Sequence, residues 1–69
     1  DNIVSTKQIM AREMSVDDAV MQMDLLDNDF LVFQNVDSKQ VNVLYRRDGK
    51  HFGLIEAQTP SDIRAVKSA

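Results

Sequence analysis

FLVFQNVDSKQVNVLYRRDGKHFGLIE, residues 30 to 56, decides how this chain folds. Three runs rich in β-branched and aromatic residues, Phe30–Val36, Val41–Arg47 and Phe52–Glu56, are separated by Asp37-Ser38-Lys39-Gln40 and Asp48-Gly49-Lys50-His51. Short polar or Asp-Gly interruptions between such runs are hairpin signals, so the stretch reads as a three-stranded antiparallel meander. Tight turns place Val36 opposite Val41 and Arg47 opposite Phe52. Because side chains alternate across a strand, that register puts Leu31, Phe33, Leu44 and Ile55 on one face. Phe30, Val32, Val36, Val41, Val43, Tyr45, Phe52 and Leu54 fall on the other.

Working upstream, Ser15 stands three residues before Asp18, the spacing of a capping box with Asp in place of Glu, and both Asp17 and Asp18 suit the positive end of a helix. Val16, Ala19, Val20, Met23 and Leu26 then recur at helical spacing, so a helix is expected from Val16 to Asp27. Asn28 is the expected left-handed stop. Before it, Asn2 to Met10 is rich in Ile, Val and Thr and reads as a first strand. Downstream of Glu56 the chain turns small and polar. Thr59 as cap with Pro60 at the first helical position would start a short helix over residues 60–66, the alternative being a frayed tail. The fold class is therefore α+β: strand, helix, three-stranded antiparallel meander, with residues 1–56 as the domain and 57–69 as a tail.

One helix covers only one face of a small sheet, yet both faces here are apolar. An uncovered face of that extent marks an interaction site, and a two-fold homodimer is the commonest solution. The helix is assigned to the Leu31, Phe33, Leu44 and Ile55 side. Phe30, Val32, Val41, Val43, Tyr45, Phe52 and Leu54 then form the dimer interface, with Arg47 at its rim; the alternative is that Ile63 and Val66 of the tail fold over it. Size argues the same way. A chain of 69 residues has room for one marginal core, and with no cysteine and a single histidine, His51, neither a disulfide nor a zinc site is available to supplement it. The absence of cysteine fits a reducing compartment, and no apolar run or leader pattern points to a membrane or to secretion. A start at Asp1 rather than Met reads as a piece of a longer protein.

Eight Lys and Arg against eleven Asp and Glu leave a net charge of −3, which disfavours general nucleic-acid binding. Arg46 and Arg47 alternate across their strand and cannot both face one ligand. They are expected to pair with Asp29, Asp48 or Glu56 at the rim and turn, Arg46 on the helix side. No catalytic residue is assigned, because His51 has only Asp48 as an orienting group and no nucleophile accompanies it. Asp27-Asn28-Asp29 lacks the glycine and distal glutamate of a calcium loop. No metal or cofactor is expected, and the four methionines read as adaptable core filler.

Three motifs, Asp29-Phe30-Leu31-Val32-Phe33, Tyr45-Arg46-Arg47-Asp48-Gly49 and Phe52-Gly53-Leu54-Ile55-Glu56, stand in an order and spacing that resembles the C-terminal domain of the long form of ribosome hibernation promoting factor. The resemblance extends from Ile3 to Glu56 and includes plastid ribosome-associated proteins. It implies a domain that homodimerises, tethered to an N-terminal domain on the small ribosomal subunit, so that inactive ribosomes pair and translation is repressed in stationary phase or stress. It also implies a cytoplasmic setting, or the plastid stroma in a plant or alga. The chain departs from the family pattern at Asp27-Asn28, where Gly-His is usual, at Ser5, where arginine is usual, and around Arg47–His51. A second functional reading is direct binding of ribosomal RNA or ribosomal protein through Arg46, Arg47 and Lys50. Salt separates the two, since phosphate contacts weaken steeply with ionic strength and apolar burial does not.

Overall fold

A computed structural model describes residues 2–60. Its elements are β1 (Arg12–Met14), α1 (Val16–Leu26), β2 (Phe30–Asn35), β3 (Val41–Arg46) and β4 (Phe52–Glu56). They form a mixed four-stranded sheet in the order β1-β2-β3-β4, an α+β architecture in which β1 runs parallel to β2 and the rest is antiparallel. Parallel neighbours need a crossover rather than a hairpin. Helix α1 is that crossover, and it lies on one face of the sheet.

The helix begins where the capping residues place it. Ser15 is extended, at φ −78° and ψ 164°, and its Oγ accepts from the Asp18 backbone N–H at 3.1 Å. The stop falls one residue earlier than expected. Asp27, not Asn28, takes the left-handed conformation at φ 53°, and its N–H donates to the Met23 carbonyl at 3.0 Å. Aspartate tolerates that region because its short polar side chain bonds locally. Ala19 and Met23 are fully buried against Phe33 and Leu44, with Met14, Val16, Val20, Leu31 and Phe52 packed around them. Leu26, expected on the same stripe, is exposed, as are Met10 and Met21; only Met23 and, in part, Met14 serve the core.

The strand expected over Asn2–Met10 is not formed; residues 2–11 have no regular structure and β1 starts at Arg12. Propensity makes a strand only where a neighbour supplies its hydrogen bonds. Pairing of Arg12 with Phe33 carries β1 onto β2 near that strand's end, and Ile9 is the earliest residue that β2 could meet.

Both hairpin registers differ from the tight-turn expectation, with different consequences. Val41 faces Gln34 rather than Val36, a slip of two residues absorbed by the loop 36–40, in which Lys39 sits at φ 63°. The Asn35 N–H donates to the Gln40 carbonyl at 2.9 Å and the Asp37 N–H to Asn35 Oδ1 at 2.9 Å. An even slip leaves every β2 and β3 side chain on its expected face. Between β3 and β4 the slip is one residue: Phe52 faces Arg46 rather than Arg47. An odd slip exchanges the faces of a strand. Phe52 and Leu54, expected on the open face, therefore lie on the helix side, and Ile55, expected beneath the helix, lies on the open side opposite Val43.

Candidate self-association surface

The face away from α1 is built from alternate residues of three strands: Phe30 and Val32 of β2, Val41, Val43 and Tyr45 of β3, and Ile55 of β4. Register places Phe30 beside Tyr45, Val32 beside Val43, and Val43 beside Ile55. Phe30 and Ile55 are 54% and 53% exposed, Val41 and Tyr45 are exposed as well, and Val32 and Val43 are half-buried between them. An apolar stripe runs across the sheet. Gly53 shapes one end of it. A Cβ there would stand inside contact distance of the Tyr45 ring, 2.5 Å from Cε1, so the phenol ring occupies the space a side chain would fill. Glycine in a strand commonly permits such an approach.

Of the interface residues expected from sequence, Phe30, Val32, Val41, Val43 and Tyr45 are together on this face, and Phe52 and Leu54 are not. Ile55 belongs to it and was misplaced by the register. Arg47 lies beyond β3 in the turn, exposed, its backbone N–H donating to the His51 carbonyl at 2.9 Å.

Arg46 points to the helix side, as alternation requires, but its partners are not carboxylates. Nη2 donates to the carbonyls of Asn28 at 3.2 Å and Met23 at 3.4 Å, and the guanidinium lies 5.2 Å from the centroid of Phe52. It therefore binds the negative end of α1, where no helical residue of the last turn is basic. The one-residue slip explains the second contact, since it brings Phe52 opposite Arg46. Engaged there, Arg46 is not presented beside Arg47 and Lys50, and the three do not form a basic face.

The turn 47–51 is organised by Asp48. Its Oδ1 accepts from the backbone N–H of Lys50 at 3.0 Å and of His51 at 2.9 Å, and the His51 ring Nδ1 stands 2.9 Å from the same oxygen. The Lys50 N–H, and after it the His51 ring, hold the Asp48 carboxyl below its ordinary value of 3.8. This is turn chemistry of the kind Asp commonly supplies.

Sequence reading missed the two buried asparagines. Asn35 and Asn42 lie on the helix side at the β2–β3 end of the sheet, 6% and 0% exposed, and Asn35 Nδ2 donates to Asn42 Oδ1 at 3.0 Å. Asn35 Oδ1 is taken by the Asp37 N–H, so the pair closes the loop that sets the register. A signal existed: each asparagine stands where alternation demands an inward residue.

Comparison with known proteins gives a consistent picture. Residues 1–54 match the family model described as Sigma 54 modulation/S30EA ribosomal protein C terminus. A ribosome hibernation promotion factor from Lactococcus lactis is 44% identical over 57 residues, covering 83% of this chain and 31% of that protein. Those of Mycobacterium tuberculosis and Deinococcus radiodurans are 47% and 49% identical over 53 residues, 77% of this chain in each case. The chain spans 24% and 27% of those two relatives.

Proposed function

The chain belongs to the Sigma 54 modulation/S30EA ribosomal protein C-terminal family, and from that premise we propose that it is a homodimerisation module of a ribosome hibernation factor. The observation that carries the reading is the open sheet face. Phe30, Val32, Val41, Val43, Tyr45 and Ile55 form one apolar surface with no covering element among the described residues. A second copy related by a two-fold axis covers such a surface and has its own covered in return. Arg47, at the turn, lies at the rim of that contact.

The relatives named as ribosome hibernation promotion factors support the setting; in this proposal a domain outside the chain holds a ribosome, and two chains joined through the open face hold two. Pairing keeps them silent under stress, in the cytoplasm or a plastid. No enzymatic step enters this reading, because the module acts by holding surfaces together. Sedimentation equilibrium of this chain at low and high salt tests it. A dimer at tens of micromolar whose affinity does not fall with salt is expected; a strictly monomeric species overturns the proposal. The alternative of direct RNA contact through Arg46, Arg47 and Lys50 is disfavoured by the engagement of Arg46 with the end of α1.

A further inference from the structure

The N-terminal segment has strand composition and no strand to pair with. Extending the β1–β2 register upstream from Arg12 and Phe33 brings Ile9 to Phe30, the first residue of β2, and everything earlier than Ile9 meets only the Asp27–Asp29 loop and the end of α1. Residues 3–8 therefore cannot be paired by β2. Yet Ile3 and Val4 are β-branched, adjacent, and 80% and 98% exposed. Already at Ile9 the chain stands off from β2, leaving an open cleft of about 470 Å³ bounded by Ile9 and residues 27–32.

At the opposite side of the sheet, β4 is an edge strand. Phe52–Glu56 is hydrogen-bonded to β3 only, and Leu54 and Ile55 on it are exposed. An edge of that kind, uncharged over its first four residues, is a template for another strand. The outer edge of β1 is a poorer one, three residues long and carrying Arg12 and Glu13, the latter paired with Lys39 at 3.5 Å.

We propose that residues Ile3–Lys7 of one copy form an arm that adds as a fifth strand to the β4 edge of a second copy, with Val4 sealing the margin of the open face and Ile3, by alternation, extending the helix-side layer. The inference rests on the dimer reading of those faces and deepens it by naming a segment that each partner contributes. Reach permits it. With residues 3–7 taken up in the arm, the linker from Lys7 to Arg12 covers about 16 Å at roughly 3.3 Å per residue, more than the about 10 Å that separates two sheets packed face to face. Length also matches, since five arm residues face the five of β4. Main-chain bonds along an exposed edge give such additions their affinity, and alternate side chains give them specificity.

A chain without cysteine makes the test direct. Ser5 and Leu54 are the central residues of the two strands and come opposite each other whether the arm runs parallel or antiparallel. Mixing chains carrying Ser5→Cys with chains carrying Leu54→Cys, under oxidation, is expected to give a covalent heterodimer on a non-reducing gel. Deleting residues 1–8 is expected to weaken dimerisation at least about tenfold in sedimentation equilibrium, since two apolar side chains per copy lose their cover. The substitutions Ile3→Asp and Val4→Asp in the intact chain should reproduce that loss, with far-UV circular dichroism reporting that the domain stays folded. Equal dimerisation of truncated and intact chains overturns the arm and leaves the sheet-face dimer standing, as it would if these residues serve instead to contact a preceding domain. An intact chain that is monomeric overturns both.

Discussion

Arg46 shows how one guanidinium can be committed to the fold. Bonded to the Asn28 and Met23 carbonyls and stacked over Phe52, it fastens the end of α1 to the β3–β4 hairpin. Charged hydrogen bonds contribute about 1.5–3 kcal/mol and a cation–π contact about 0.5–1, both reduced by partial exposure. Arg46→Ala should therefore lower stability by about 1–2 kcal/mol in urea unfolding, while Arg46→Lys, which keeps the charge and loses the fork, recovers only part of it. Retention of ribosomal RNA on a filter should be unaffected by either. Gly53 makes the opposite kind of contribution, through an atom it lacks. Gly53→Val should lift the Tyr45 ring off the sheet and weaken self-association, read as a raised dissociation constant with little loss of secondary structure.

At the scale of elements, helix α1 was legible because its cap, its first-turn acids and its apolar stripe all agree, and the three meander strands were legible from composition and alternation. What composition did not carry was register. A side chain's face depends on the parity of a hairpin loop, and that parity is set by local bonds: Asp48 collecting the Lys50 and His51 N–H groups, and Asn35 collecting that of Asp37. One residue added to the second turn exchanged Phe52 and Leu54 for Ile55 on the open face, so alternation placed the β2 and β3 side chains on their faces and misplaced those of β4. The missing first strand has a different cause, since Asn2 to Met10 announce a strand without the neighbour that would make it one. Two predictions belong here. Asn42→Ala strands the Asn35 amide in the interior and should cost about 1–3 kcal/mol, the usual penalty for a buried unpaired donor. Asp48 titrates below 3.8 in the folded turn, so its bonds contribute above that value and are lost as pH falls through the lowered one. An acid titration followed by NMR should show the Lys50 and His51 amides shifting together with a midpoint below 3.8, and Asp48→Asn should remove that transition.

For the whole molecule, two apolar layers share one sheet, and only one of them is covered by α1. Phe33 lies at the centre of the covered layer with no exposed surface, so Phe33→Ala should cost about 3–5 kcal/mol and unfold most of the population. Phe30 belongs to the other layer. Phe30→Ala should leave the monomer folded, dissociate the dimer in sedimentation equilibrium, and, within a long-form factor, abolish ribosome pairs on a gradient while single-ribosome binding persists. The parallel strand β1 then acquires a dynamic meaning. It is three residues long, pairs with β2 alone, and reaches it only across the whole of α1, whereas β2, β3 and β4 are joined by short hairpins. Segments with few and distant contacts open at lower free energy than the globule does. The amides of β1 should thus exchange with solvent well before those of β3. In a concentrated sample, where mass action favours assembly, their protection should rise toward that of the sheet centre, so that exchange at Arg12–Met14 reports association as sensitively as mass does.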